Sequence, residues 1–296
     1  MSESALAKVA QARPGMRPSE QRVADMILSE PAKVVDLSIT ELAAQCSTSV
    51  ATIVRFCQAL GYAGYGELRR ELASTRGREE VSLRRFGVSD AEIEPDDDAR
   101  DVLAKTAYHE AHAIESTAAS IDIVTLDAVV EAVATADRVD IFGVGSSALA
   151  AVDLQQKLHR IGLISFCHSD IHLALTSAAL LTERSVSVGF SHSGLTIETV
   201  DSLSTARASG ATTVAVTNFP SSPIADNAEH VLVTSASETR YRPGAMSSRI
   251  AQLAVVDFLF VRLVQRLYGP AVPSLQLTYD AVQTHRLSPT KYRAER

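Results

Sequence analysis

The sequence contains no tryptophan, three cysteines, 14 glycines and 10 prolines. An odd, small number of cysteines without a C-x-x-C pair excludes a disulfide framework. So little glycine and proline excludes a collagen-like or low-complexity chain. No apolar run approaches the roughly 18 residues of a membrane-spanning helix, and the first residues lack the apolar core of a signal peptide. We therefore expect a cytoplasmic globular protein with no membrane partner.

Charge is unevenly distributed along the chain, which has a net charge of -7. Residues 1–78 contain ten basic and eight acidic side chains, whereas residues 79–296 contain eighteen and twenty-seven. An acidic molecule repels nucleic acid as a whole, because the phosphate backbone is negative. The slight basic excess at the N-terminus still permits a small DNA-binding part there.

The N-terminal region, residues 1–78, has the pattern of short, capped helices. Ser38-Ile39-Thr40-Glu41 is a capping box that predicts a helix through about Gln45. A further helix is predicted from about Val50 to Leu60, ending at Gly61. Two short helices joined by a tight turn are typical of a helix-turn-helix, here at about residues 38–58.

The second of these helices has a polar face suited to reading DNA. With Ile53 in the core, helical periodicity directs short and hydrogen-bonding side chains away from it. A serine precedes the helix, where a hydroxyl and backbone amides can hold a phosphate. The predicted DNA-binding residues are Ser49, Ala51, Thr52, Arg55 and Gln58. The alternative is a plain helical bundle with a polar outer face.

Residues 79–125 are predicted to be a linker and a connecting helix. Six acidic residues lie between Asp90 and Asp98, around a proline, which is typical of a solvated segment. A second domain is expected at residues 126–268, and residues 269–296 are expected to form a C-terminal tail.

Five β-branched, strand-like runs follow one another in the second half of the chain. Their apolarity is continuous, which indicates strands covered on both faces. Segments with helical spacing separate them, so right-handed crossovers and a doubly wound, five-stranded parallel α/β sheet are predicted. The five runs are Arg138–Phe142, Leu163–Cys167, Ser185–Phe190, Thr212–Thr217 and His230–Thr234.

Two loops between strand and helix have residues suited to binding an anion. Gly143-Val144-Gly145-Ser146-Ser147 follows the first strand, and Ser191-His192-Ser193-Gly194-Leu195-Thr196 follows the third. With a strand order of 2-1-3-4-5, both loops lie at the carboxyl edge where chain direction reverses, the usual ligand site of open α/β sheets. Hydroxyls and helix amides there favour a phosphate-bearing small ligand. Tight turns with capping serines are the structural alternative.

Three motifs in the second half of the chain resemble the phosphosugar-binding SIS domain. They are G-V-G-S-S (residues 143–147), S-H-S-G-L-T (residues 191–196) and S-S-P-I-A-D-N-A (residues 221–228). Residues 37–61, with S-T-S-V-A-T-I-V-R-F-C-Q-A-L-G, resemble the helix-turn-helix of RpiR-type transcriptional regulators. That family joins these two modules in this order.

The resemblance implies a regulator, more often a repressor, that binds operator DNA as a homodimer or homotetramer and responds to a phosphorylated sugar. It also assigns effector contacts by matching position, with Glu238 as a polar position near the sugar. The implied effector-binding residues are Gly143, Gly145, Ser147, Ser191, Ser193, Gly194, Thr196 and Glu238.

Two enzymatic readings compete with this one. A SIS-domain isomerase needs a base, for which Glu238, Glu198 or His192 are available, yet none belongs to an independent catalytic motif. A dehydrogenase is compatible with G-x-G-x-x-A at residues 143–148, but Asp170 lies too far beyond the second strand for a ribose contact. We therefore expect no enzyme and no catalytic residue.

Metal and cofactor sites have little support in the sequence. His109 and His112 are three residues apart and His168 and His172 are four apart, but no third ligand at a suitable spacing accompanies either pair. We expect neither a metal nor a cofactor.

Overall fold

The computed structural model describes residues 5–168, 170–238, 245–283 and 285. The chain forms two compact units: the first contains residues 1–120 and 235–247, and the second contains residues 121–234 and 248–296. In the described ranges, none of the helices combines the length and apolarity needed to span a bilayer.

The described part of the first unit is helical. Its helices pack around a core that includes Ile27, Leu42, Ile53, Phe56 and Leu68, all fully buried. A single 3-10 turn separates the first two helices. The helices are α1 (Ala5–Ala12), α2 (Pro18–Ser29), α3 (Pro31–Asp36), α4 (Ile39–Gln45), α5 (Val50–Ala59), α6 (Tyr65–Phe86) and α7 (Ala99–Ser120).

Helices α4 and α5 have the bounds that their capping residues predict. The Ser38 hydroxyl accepts a hydrogen bond from the Glu41 amide at 3.3 Å, and the Ser38 amide donates to Glu41 Oε2 at 2.7 Å. Hydrogen bonding to the Glu41 carboxyl from the Ser38 side chain, and then from the Ser38 amide, lowers the pKa of Glu41. Ser49 caps α5 by accepting from the Thr52 amide at 3.2 Å. The capping box predicted from the sequence is therefore confirmed.

Two distant side chains hold the turn and the helices around it. Arg22 of α2 donates to the carbonyl oxygens of Cys46 and Ser47, both at 2.9 Å, where Ser47 has a φ of 48°. The buried Tyr65 hydroxyl lies 2.8 Å from the Val34 carbonyl oxygen and 3.0 Å from that of Leu37. These contacts add hydrogen bonds to carbonyl groups at and just beyond the ends of the short helices, where intrahelical partners are fewest.

The acidic segment between α6 and α7 is attached to α7 and is not simply solvated. The Lys105 ammonium, on a residue 5% exposed, lies 2.8 Å from Asp97 Oδ1 and 2.6 Å from the Glu92 carbonyl oxygen. The pairing lowers the pKa of Asp97 and raises that of Lys105. His109 Nε2 lies 2.6 Å from the Ala91 carbonyl oxygen. The segment is therefore anchored to α7 by one buried cation, while five of its six acidic side chains stay exposed, as expected of a solvated segment.

The second unit contains a five-stranded parallel sheet with the order β2-β1-β3-β4-β5. The doubly wound topology and the strand order expected from the sequence are confirmed. Helix α13 begins among residues grouped with the first unit and continues into the second. The elements are α8 (Ile123–Thr135), β1 (Arg138–Gly143), α9 (Ser146–Arg160), β2 (Ser165–His168), α10 (Ile171–Ala178), β3 (Ser185–Phe190), α11 (Ile197–Ala208), β4 (Thr212–Thr217), α12 (Pro223–Asp226), β5 (His230–Val233), α13 (Met246–Arg266) and α14 (Tyr268–Gln283).

Helices cover both faces of the sheet, which is why its strands are continuously apolar. The largest core cluster joins α8, α9 and α13 to the strands, with Ile141, Leu154 and Val255 fully buried. Phe142 packs on the opposite face against α10 and α11. Helix α14 occupies much of the range expected to be a tail.

Candidate functional site

The outer face of α5 is exposed at most of the predicted DNA-binding positions. Ser49, Ala51, Arg55 and Gln58 are exposed, while Ile53 and Phe56 on the opposite face are fully buried. Arg69 and Arg70 of α6 are also exposed. The helix thus presents a guanidinium, an amide and a hydroxyl to solvent, the groups that read base edges and phosphates.

Thr52 does not share that exposure. It is 5% exposed, and its hydroxyl lies 3.0 Å from Ser49 Oγ and accepts a hydrogen bond from Arg55 at 3.3 Å. The expectation that Thr52 points away from the core is therefore wrong. The first turn of a helix is packed by the segment that leads into it, so helical periodicity alone does not predict burial there.

Glycine geometry shapes the first loop of the second unit. A Cβ on Gly143 would lie 2.9 Å from the Ser147 carbonyl oxygen, so only glycine allows α9 to start this close to β1. Gly145 precedes α9 with a φ of 60° and a ψ of -130°, a conformation that L side chains avoid. The sheet register pairs Gly143 with Phe190, so the two predicted loops leave neighbouring strands at the same level.

The second loop is built by its own hydroxyls. Ser191 is 1% exposed; its hydroxyl donates to Thr196 Oγ1 and accepts from the Gly194 amide, both at 3.1 Å. The Ser193 hydroxyl accepts from the Leu195 amide at 3.2 Å, and Ser193 and Thr196 are half-buried. Ser191 therefore organises the loop, whereas Ser193 and Thr196 keep more accessible hydroxyls. That all three hydroxyls contact the effector stays a prediction, and the Ser191 hydroxyl is already engaged within the loop.

The two helices that begin at these loops have no side-chain cap. Neither Gly145 before α9 nor Thr196 before α11 caps its helix through a side-chain hydrogen bond. Helices α3, α6 and α12 share this absence, whereas a serine or aspartate caps each of α4, α5, α8 and α10. Two adjacent helix N-termini therefore retain amides and partial positive charge for an anion.

Residues beyond the two predicted loops support them. The Thr217 hydroxyl donates to the His192 carbonyl oxygen at 3.2 Å, and the Ile224 amide donates to that of Gly194 at 3.2 Å. A Cβ on Gly194, where φ is 68°, would overlap the Ser222 side chain. Ser222 lies in the S-S-P-I-A-D-N-A motif at residues 221–228, so the sequence could have identified it as a residue of the site.

Gln252 is another supporting residue. Its side-chain amide donates to the Ser147 hydroxyl at 3.1 Å from within α13. The sequence did not identify Gln252 as a site residue. It lies 105 residues from Ser147, in a helix whose apolar periodicity predicts only a role in the core.

Glu238 belongs to the first unit, whereas the seven other predicted effector-binding residues belong to the second. Within the first unit it lines a small pocket with residues that include Ile93, Thr106 and His109. Its role near a sugar stays a prediction from the sequence.

Comparison with known families supports both modules. Residues 3–77 match the helix-turn-helix domain of the rpiR family, and residues 132–262 match the SIS domain. An uncharacterized HTH-type transcriptional regulator of Caldanaerobacter subterraneus subsp. tengcongensis is 37% identical over 283 residues, which span 96% of this chain and 98% of that protein.

Solved structures agree in fold. The Vibrio vulnificus NanR protein, complexed with ManNAc-6P, is 28% identical, with a TM-score of 0.62 over 96% of this chain and 100% of that one. A putative sugar-phosphate isomerase from Listeria monocytogenes, 23% identical with a TM-score of 0.53 over 58% of this chain and 93% of that one, shares the fold alone. The chain belongs to the RpiR family of helix-turn-helix transcriptional regulators and has a SIS sugar-phosphate-binding domain.

Proposed function

We propose that this protein is a repressor whose affinity for operator DNA is controlled by a phosphorylated sugar bound at the two loops of the second unit. The observation that carries the proposal is the pair of neighbouring helix N-termini, α9 and α11, that no side chain caps. A phosphate dianion supplies the negative charge and acceptor oxygens that such amides favour. Ser147, Ser193 and Thr196 add neutral donors around it.

Neutral donors suit a sensor. They hold a dianion without the strong Coulomb attraction of several buried lysines or arginines, so the ligand is released when its concentration falls. NanR, which has 28% identity to this chain, was solved with ManNAc-6P. We extend only the chemical class, a phosphorylated sugar, to this protein.

The DNA-binding part of the proposal rests on α5. Arg55 and Gln58 are exposed on its outer face, and Ser49 and Ala51 lie at its start. We propose that a homodimer or homotetramer places two copies of α5 in successive major grooves of an operator in the cytoplasm. Half-sites of such an operator are roughly 34–36 Å apart, or a multiple of that spacing.

Regulation then follows from linkage. An effector changes operator affinity only through unequal affinity for the DNA-binding and non-binding states of the protein, and the coupling is reciprocal. For a repressor released by its effector, operator DNA must weaken effector binding by the same factor as the effector weakens operator binding.

The test is a titration of the full-length protein with operator DNA obtained by selection from random duplexes. Fluorescence anisotropy is measured without ligand and with each of a panel of sugar phosphates that includes ManNAc-6P. We expect specific DNA binding that one or more sugar phosphates weaken at least fivefold, while the unphosphorylated sugars have no effect. Specific DNA binding that no phosphorylated sugar alters would contradict the effector part of the proposal.

The same panel tests the absence of catalysis. Incubation of the purified protein with each sugar phosphate, followed by chromatography of the products, should show no isomerisation. Turnover would replace the sensor with an enzyme, and Glu198 and His192 would then become the first residues to substitute.

A further inference from the structure

Gln252 is a polar side chain in an apolar part of the second unit. It is 1% exposed and lies on the same helix face as Val255 and Val256, which are fully buried. Burying a primary amide costs free energy unless it is hydrogen-bonded, so its partner accounts for its presence. That partner is the Ser147 hydroxyl, which accepts from Gln252 Nε2 at 3.1 Å.

This hydrogen bond has a direction. A serine hydroxyl has one hydrogen to donate and two lone pairs to accept with. Because Gln252 donates to it, the Ser147 oxygen has one lone pair engaged and its hydrogen turned elsewhere. Within the described part of the chain, this is the one hydrogen bond that the Ser147 side chain makes. The hydrogen therefore remains available to a group outside the protein.

We propose that Gln252 is a positioning residue that fixes the rotation of the Ser147 hydroxyl so that it donates to the phosphoryl group of the effector. Ser147 lies in the first turn of α9, whose N-terminus has no side-chain cap. An orientation set in advance spares the ligand the entropy of ordering that hydroxyl. The proposal rests on the proposed function, since it concerns the same phosphate site.

A double-mutant cycle on the full-length chain tests this role. The variants are Gln252→Met, Ser147→Ala and the double variant, and the probe is inorganic phosphate, which does not depend on the identity of the sugar. Phosphate affinity is obtained from thermal-shift titrations at constant ionic strength, with potassium chloride as the blank. Gln276→Met, on the exposed face of α14, is the matched control for the change of side chain.

We expect Ser147→Ala to weaken phosphate binding roughly tenfold and Gln252→Met about three- to tenfold, as for loss of a charge-assisted hydrogen bond and of its orientation. Adding Gln252→Met to Ser147→Ala should change the affinity less than about twofold, because the positioned group is already gone. The control should bind phosphate like the unmodified protein.

A purely structural role gives a different result. Gln252→Met would then lower the melting temperature but leave the phosphate affinity unchanged, or its effect on affinity would persist in full in the Ser147→Ala background. Either outcome overturns the positioning role while leaving the proposed function intact, provided that Ser147→Ala still weakens binding. An unmodified protein that binds no phosphate overturns both proposals.

Gln252→Glu keeps the inference testable even if the methionine variant fails to fold. A carboxylate of nearly the same shape only accepts, so it takes the Ser147 hydrogen and turns it away from the ligand. We expect a loss of affinity greater than tenfold, part of which comes from charge repulsion. The same substitution in the Ser147→Ala background measures the repulsion alone, and an equal loss in both backgrounds would contradict the proposal.

Discussion

The outer face of α5, proposed to bind DNA, and the loop at residues 191–196, proposed to bind phosphate, differ in how far the same residues serve function and stability. On α5 the exposed Arg55 and Gln58 form little of the fold, while Arg22 and Tyr65 hold the surrounding segments from elsewhere. In the loop at residues 191–196, the hydroxyl of Ser191 itself forms the hydrogen bonds that shape the loop. Function should therefore separate from stability on α5, but not at Ser191 or Gly194 of the loop.

The largest effect that would sharpen this comparison is expected at Gly194. An alanine there must adopt a φ of 68° and overlap Ser222, so Gly194→Ala should cost about 2–4 kcal/mol of stability and abolish phosphate binding. Urea denaturation and phosphate titration measure the two effects. Gly77→Ala is the control, because Gly77 lies in α6 with open space around it, and it should stabilise the protein by up to about 1 kcal/mol.

A Gly194→Ala protein as stable as the original would mean that the loop tolerates a side chain at this position. The proposed difference between α5 and the loop would then be wrong. Adding Ser222→Gly removes the overlap but not the strained φ. The double variant should therefore recover only part of the lost stability.

Alkaline pH is expected to destabilise the first unit through a thiol on the buried face of α5. Burial raises the pKa of the Cys57 thiol from an ordinary value of 9.0 to about 11. The folded protein thus favours the neutral thiol. The contribution of this thiol to the free energy of unfolding is fully present below pH 9.0 and is lost as pH rises through about 11. The loss is of the order of 2 kcal/mol.

Urea denaturation of the full-length protein between pH 8 and pH 11 measures this decline. Burial also raises the pKa values of Cys46 and Tyr65, so several groups contribute to the slope. Cys57→Ala should be less stable at neutral pH but should show a shallower decline. An unchanged slope in that variant would exclude Cys57 as the group responsible.

Much of the fold was predictable from local pattern. The strand ends differ from the expected ones by at most two residues, because short, continuously apolar runs between helical segments are typical of strands covered on both faces. The capping box at Ser38 fixed the start of α4, and the glycines at residues 143 and 145 predicted the tight first loop. Each of these signals lies within a few residues of the structure that it produces.

The features that the sequence did not predict have the opposite character, since two of the three depend on contacts distant in sequence. The exception is Thr52, whose hydroxyl contacts Ser49 and Arg55 three residues away and whose burial helical periodicity does not describe. The role of Gln252 depends on a hydrogen bond to a residue 105 positions away. The attachment of the acidic segment depends on one lysine, Lys105, in the middle of α7. Local composition does not report these contacts.

A smaller effect is expected at Ser191. Ser191→Ala removes hydrogen bonds to Thr196 and to the Gly194 amide, so it should cost about 1 kcal/mol of stability and also weaken phosphate binding. Ser193→Ala is the matched control, because the Ser193 hydroxyl accepts a hydrogen bond from the Leu195 amide at a more exposed position. It should weaken phosphate binding with less than about 0.5 kcal/mol of lost stability. If both variants lose equal stability, Ser191 does not have the organising role assigned to it.

The smallest effect on stability is expected at Arg55, where the comparison predicts a clean separation. Arg55 is exposed and donates a 3.3 Å hydrogen bond to the Thr52 hydroxyl, so Arg55→Ala should change stability by less than about 0.5 kcal/mol. Operator affinity should nevertheless fall by about 1–3 kcal/mol, with phosphate binding unaffected. Arg160→Ala, at an exposed position at the end of α9, should change neither quantity. Unaltered operator affinity in Arg55→Ala would remove this side chain from the reading face, whereas a large loss of stability would show that α5, like the loop, uses the same residues for folding and for function.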